Sequence, residues 1–123
     1  MYRVIIVEDE PEIARGTKEY VEKNPEFQVK AIFSNGQEAL NYIWLNPVDL
    51  IILDLFMPQV NGKEFLYRLR KEILPVEGIV MTAANETANI REVLPFGVVD
   101  YLLKPFTQER FAEALERFDQ RYQ

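Results

Sequence analysis

The 123-residue chain contains no cysteine and no histidine. The first absence removes disulfide scaffolds, thiol nucleophiles and Cys-ligated zinc or iron–sulfur centres. The second removes Ser-His-Asp triads and His-based zinc sites. It also means that the chain cannot supply a phosphohistidine of its own. No apolar run nears the ~20 residues that cross a bilayer. No basic segment leads into a long apolar stretch at the N-terminus, so neither a membrane span nor a secretory leader is expected. Acids outnumber bases by 20 to 14, and the net charge of -6 repels nucleic acid and anionic membrane. Chemistry must rest on carboxylates, lysine, hydroxyls and backbone.

Apolar residues make up 48 % of the chain and charged residues 28 %, a globular composition of single-domain length. Four short apolar runs read as β-strands: residues 4–7 (VIIV), 50–53 (LIIL), 78–81 (GIVM) and 98–103 (VVDYLL). A fifth, weaker one covers 27–33 (FQVKAIF). Unbroken apolar strands suit a sheet covered on both faces. Between them lie segments of helical period. Residues 11–22 align Ile13, Thr17, Tyr20 and Val21, with Pro11 suited to the first turn. Residues 36–45 repeat Ala39, Leu40, Ile43 and Trp44 after Asn35, a suitable N-cap. Residues 62–72 repeat Phe65, Leu66, Leu69 and Ile73 after Asn61, and residues 85–96 carry a narrow stripe of Ile90, Val93 and Leu94. Residues 107–121 repeat Phe111, Ala114, Leu115 and Phe118, with Tyr122 beyond and Thr107 as cap. Five β–α units in alternation predict a parallel sheet with helices on both faces and right-handed crossovers.

In open parallel sheets function gathers beyond the carboxyl ends of the strands. The first run is followed there by Glu8, Asp9 and Glu10, the run at 50–53 by Asp54, the run at 78–81 by Thr82, and the last run by Lys104 and Pro105. An acid after a strand often only caps the next helix, which suffices for Glu10. Asp54 is different. It sits between LIIL and Leu55-Phe56-Met57, where an unpaired acid is costly. Glu8, Asp9 and Asp54 together bring three negative charges, and each like-charge pair at ~4 Å costs ~1–4 kcal/mol. A hard divalent cation relieves this, and Mg²⁺ suits oxygen ligands that include only a few carboxylates. Asp54 is then a candidate nucleophile toward phosphorus. Lys104 can neutralise phosphoryl oxygens and Thr82 can donate to one. The phosphoryl donor has to be another protein or a small acyl phosphate.

The segments VIIVEDE (4–10), LIILDLFMPQVNG (50–62), IVMTAA (79–84) and VVDYLLKPF (98–106) resemble the receiver domain of bacterial two-component response regulators, over essentially the whole chain. The resemblance implies a flavodoxin-like (βα)5 fold, a doubly wound five-stranded parallel sheet in order 2-1-3-4-5, with residues 1–123 forming one receiver domain. It implies Asp54 as phosphoacceptor and Lys104 as phosphate-binding lysine, with a cis bond to Pro105. Asp9 is implied as direct Mg²⁺ ligand, Glu8 as a ligand partly through water, and the Phe56 carbonyl as a further one. Thr82 and Tyr101 look like the switch pair, Thr82 moving to the phosphoryl group and the Tyr101 ring turning inward. The implied partners are a sensor histidine kinase, docking near the first helix and residues 104–107, and an output domain. The face of the fourth helix, fifth strand and fifth helix would form a homodimer or meet that output domain. The implied setting is the bacterial cytoplasm.

Residues 82–111 (TAANETANIREVLPFGVVDYLLKPFTQERF) look like the citrate/malate-sensing, CitB-like regulators, which carry a helix-turn-helix output domain. That domain is absent from these 123 residues, and neither nucleic acid nor membrane is an expected partner of this domain. Glu8 stands where the family more often has Asp. Pro95 falls near the end of the fourth helix and puts its shape in doubt. A haloacid-dehalogenase-type phosphatase would want a second acid where Phe56 stands. A flavodoxin-like cofactor binder would want a phosphate cradle where Glu8-Asp9-Glu10 stand. A receiver that works without phosphorylation has no need of five intact site side chains. Bulky Phe56 and small, apolar Ala84 offer little to orient an attacking water, so slow self-dephosphorylation is expected.

Overall fold

The structure, a computed structural model, describes residues 1–55, 61–72, 75–83 and 88–122. In chain order the elements are β1 (Tyr2–Val7), α1 (Pro11–Glu22), β2 (Phe27–Phe33), α2 (Gly36–Leu45), β3 (Leu50–Asp54), α3 (Gly62–Lys71), β4 (Glu77–Ala83), α4 (Ala88–Val93), β5 (Asp100–Lys104) and α5 (Gln108–Tyr122), with a 3-10 turn at Leu94–Phe96 after α4. The five strands form one sheet in the order β2-β1-β3-β4-β5, and every pairing is parallel. The expected flavodoxin-like fold and strand order are therefore present.

Period-two alternation divides the buried strand residues between two layers. Ile5, Val7, Ile51, Leu53 and Val80 face Ala39, Leu40 and Ile43 of α2 and Phe65, Leu66 and Leu69 of α3. Val4, Ile6, Leu50, Ile52, Ile79, Met81 and Leu102 face Ala14 and Val21 of α1 and Phe111, Ala114, Leu115 and Phe118 of α5. Each fully buried aliphatic or aromatic side chain contributes ~1.5–3 kcal/mol, so the site at the sheet edge stands on a rigid double core. β2 lies at one margin of the sheet, which explains its weaker apolar pattern: Ile32 is left exposed.

The helix starts follow the expected chemistry. The Asn35 side chain accepts from the Glu38 N–H, that of Asn61 from the Glu64 N–H, and the Thr107 hydroxyl from the Arg110 N–H. Five expectations need correction. Trp44 is not part of the α2 core face and is 56 % exposed; Leu94 is exposed as well. The fourth helix does not run over 85–96: α4 ends at Val93 and the chain tightens into the Leu94–Phe96 turn. Pro95 has no N–H to continue an α-helix, and Gly97 closes the turn at φ 75°, a left-handed conformation that glycine adopts without strain. The fifth strand starts at Asp100 rather than residue 98 and includes Lys104. The third helix stops at Lys71; Ile73, like residues 85–87, lies outside the described residues.

Candidate functional site

Strand register assembles the site. Val7 pairs with Leu53, so Glu8 and Asp54 follow side by side from neighbouring strands. The Glu8 N–H donates to the Phe33 carbonyl and the Leu55 N–H to the Met81 carbonyl, which carries the ladder one residue past each strand. Asp54 pairs with Met81, and Thr82 and Ala83 pair with Leu103 and Lys104. Gly62 then brings the start of α3 against Leu55. Its N–H donates to the Leu55 carbonyl at 3.1 Å, and a Cβ here would lie 2.6 Å from Leu55 Cα. No side chain fits at this approach, one residue beyond Asp54.

Carboxylate oxygens of Glu8, Asp9 and Asp54 all lie within 4.8 Å of one another. Glu8 and Asp54 are buried, and Asp9 is exposed. Lys104 Nζ stands 2.8 Å from Glu8 Oε1 and 3.3 Å from Asp54 Oδ2. The Glu10 N–H adds a long contact of 3.3 Å to Glu8 Oε2. One ammonium thus faces three acids. Burial, then the hydrogen bond that the protonated Glu8 carboxyl donates to Asp54, push Glu8 up to about 7, and Lys104 offsets this only in part. Burial also opposes the charge on Lys104, yet its contacts with Glu8 and Asp54 prevail and hold its ammonium above the usual lysine range. Both directions express a surplus of negative charge.

Thr82 is 1 % exposed, and its hydroxyl has no hydrogen-bond partner among the described residues. Leaving a buried hydroxyl unpaired costs ~1–3 kcal/mol. Tyr101, one strand over, is 41 % exposed. The peptide bond between Lys104 and Pro105 is cis. The structure thus brings Glu8, Asp9, Asp54 and Lys104 together, with Thr82 on the adjoining strand. Phe56, named above for its backbone carbonyl, lies outside the described residues, as does Ala84. Sequence reasoning missed Asp49 and Asp100, two further buried acids. Their signal was present, since each interrupts an apolar run (VDLIIL, VVDYLL), but their arginine partners come from other elements.

Residues 4–116 match the family described as response regulator receiver domain. The chain is 43 % identical over 118 residues to the transcriptional regulatory protein MalR of Bacillus subtilis, covering 96 % of this chain and 50 % of that one. It is 36 % identical over 122 residues to a probable C4-dicarboxylate response regulator, DctR, of Halalkalibacterium halodurans, covering 99 % and 53 %. The chain spans about half the length of the curated relatives it matches. Among solved structures, the receiver domain of AraT from Geobacillus stearothermophilus superposes with a TM-score of 0.88 at 29 % identity, covering 98 % of this chain and 95 % of that one. Such relatives agree with the citrate/malate-type likeness of residues 82–111. With the strand order, the acidic cluster at the sheet's carboxyl edge and these matches together, the chain belongs to the response regulator receiver domains, the signalling modules of two-component systems.

Proposed function

We propose that the chain accepts a phosphoryl group on Asp54, with Mg²⁺, from a sensor histidine kinase, and that this switches the α4–β5–α5 face toward a transcriptional output domain. The observation that carries the reading is the clustering of three carboxylates, two of which share one lysine. Such a surplus charge is tolerated where a cation relieves it. Glu8, Asp9 and Asp54 fit a hard divalent ion, because they offer only oxygen and because Glu8 is pushed up by burial and by its acidic neighbour. They would hold it together with the Phe56 carbonyl that the family resemblance implies. When bound, Mg²⁺ supplies positive charge against the phosphoryl oxygens.

An Asp54 carboxylate oxygen forms the new bond to phosphorus as the bond from phosphorus to the donor's leaving atom breaks. The product is a mixed anhydride on Asp54, and no electrons change hands. Lys104, already in contact with Glu8 and Asp54, exchanges carboxylate contacts for phosphoryl ones as the negative charge at the site grows. Thr82 donates its unpaired hydroxyl to a phosphoryl oxygen. The half-exposed Tyr101 ring turns inward behind it. Moving this equilibrium from 1:99 to 99:1 takes ~5.5 kcal/mol of preference for the active form, drawn from the new hydrogen bonds and the relief of Thr82.

The kinase would dock beside the site. A groove of about 420 Å³ is lined there by Ile13, Gly16, Thr17, Tyr20, Pro105 and Phe106 together with Lys104. Its apolar walls and adjoining lysine suit a helical surface that presents a phosphohistidine. The other half of the MalR-like proteins is the natural recipient of the signal. Residues 1–123 then act as the receiver unit, with the α4–β5–α5 face meeting that output domain or forming a homodimer.

The test is phosphate incorporation from acetyl phosphate with Mg²⁺. The unmodified protein should take up hydroxylamine-labile phosphate and lose it slowly, and Asp54→Ala should take up none. Equal labelling of both proteins would reject the assignment.

A further inference from the structure

Beside Tyr101 lies a buried acid that the phosphoryl chemistry does not use. The side chain of Asp100, the first residue of β5, is only 1 % exposed, and a carboxylate that deep requires partners. Arg110 of α5 lays both prongs of its guanidinium on it, Nη1 to Oδ2 and Nη2 to Oδ1, each at 2.8 Å. Arg117 adds a contact of 3.0 Å to Oδ1. The Tyr101 N–H donates to Asp100 Oδ1 at 2.8 Å, and Arg110 Nη2 also donates to the Tyr101 carbonyl at 2.8 Å.

The topology explains why this matters. β5 is the last strand of the sheet, so backbone groups on its outer side have no neighbouring strand to meet. At Tyr101 both are taken up by the Asp100–Arg110 pair: the N–H through the carboxylate, the carbonyl by the guanidinium directly. The backbone of Tyr101 is gripped on both sides of its Cα, while its ring remains 41 % exposed. Arg117 touches Asp100 alone in this cluster.

We propose that Arg110, held by Asp100, is a positioning residue of the switch: it pins the Tyr101 backbone at the open edge of the sheet, so that the state of the site is read as rotation of the Tyr101 ring and not as fraying of β5. This rests on the Thr82–Tyr101 switch reading above. A lysine at 110 could hold one oxygen but not both oxygens and the carbonyl.

Amide hydrogen exchange and fluorine NMR of fluorotyrosine-labelled protein test it, with the Tyr101 line assigned by its loss in Tyr101→Phe. In Arg110→Ala the Tyr101 amide should exchange at least about tenfold faster while Ile52 and Val80 change by less than about threefold. Magnesium with beryllofluoride, a phosphoryl mimic, should shift the Tyr101 line fully in the unmodified protein and by less than about half as much in Arg110→Ala, because the coupling is lost. Arg110→Lys should fall between the two, and Arg117→Ala should behave as unmodified protein. Unchanged exchange and an unchanged shift in Arg110→Ala would overturn the proposal. So would an Arg117→Ala as impaired as Arg110→Ala, since bare charge would then account for both. A Tyr101 line that ignores beryllofluoride in the unmodified protein would overturn the switch reading itself, and this role with it, even where exchange is faster in Arg110→Ala.

Discussion

Asp49, at the entrance to β3, and Glu8, at the exit from β1, are both buried, with exposures of 5 % and 2 %. Their surroundings differ. Asp49 receives the Arg3 backbone N–H at 2.7 Å, both prongs of the Arg3 side chain at 2.9 Å and the Tyr122 hydroxyl at 2.8 Å. The Arg3 hydrogen bond, more than burial opposes it, holds its carboxyl down to about 2. Glu8 shares one lysine with Asp54 and is pushed up to about 7 by burial and that neighbour. At the amino edge of the sheet Asp49 is therefore fully partnered, whereas at the carboxyl edge Glu8 and Asp54 share one lysine. A compensated acid holds the fold together, here tying β1, the start of β3 and the end of α5. An uncompensated one costs stability, and the reading proposed above assigns the missing charge at the topological switch point to a ligand.

The contrast can be broken by substitution. Asp49→Ala leaves the Arg3 N–H and the Tyr122 hydroxyl without their acceptor, and should lower stability by about 2–3 kcal/mol in urea unfolding. A loss below about 0.5 kcal/mol would remove Asp49 as a structural anchor. At the other edge, Asp9→Asn should weaken Mg²⁺ binding about 10–100-fold, by comparison with losses on disturbing metal sites elsewhere; an unchanged magnesium titration would take Asp9 out of the metal site. Glu8→Gln should do the opposite of Asp49→Ala in metal-free protein at pH 8. Relief of one like-charge pair is worth about 1 kcal/mol of stabilisation, and a net loss of stability would mean that the Lys104 contact outweighs the repulsion.

The acids should also give opposite pH slopes in a chelator. Asp49 has a depressed folded value, so its contribution is complete above the ordinary aspartate range and disappears as pH falls toward about 2. The Arg3 side of the pair is exposed and screened, which limits the term to about 1 kcal/mol. Glu8 has a raised folded value, so metal-free stability should decline as pH rises from about 4.5 toward about 7. Asp49→Asn should flatten the acid limb and Glu8→Gln the neutral one. Equal slopes in the variants and the unmodified protein would dissolve the contrast.

Much of the carboxyl edge was legible in the sequence because its signal is local. Glu8, Asp54, Thr82 and Lys104 each end or follow an apolar run, and a parallel sheet gathers such positions whatever the details of packing. Asn35 and Thr107 could likewise be read as caps, since a cap involves only its own helix. Asp49 and Asp100 depend on partners supplied by Arg3, Arg110 and Arg117, whose meeting is a product of the tertiary fold. Trp44 fits the helical period of α2 but falls outside the area its layer covers, so periodicity alone misplaced it. Pro95 announced trouble in the fourth helix; that the chain would answer with a 3-10 turn depended on Gly97 and on Phe96, whose carbonyl accepts from Arg70 Nε at 2.8 Å.

On the proposed function, a cation and a phosphoryl group on Asp54 complete the carboxyl edge. A crystal structure grown with magnesium and beryllofluoride tests it most directly. Beryllofluoride should be bonded to Asp54, with an ion against Asp9 and Glu8 and with Lys104 and Thr82 on the fluorines. An unmodified Asp54 with no ion beside it at saturating concentrations of both would contradict it.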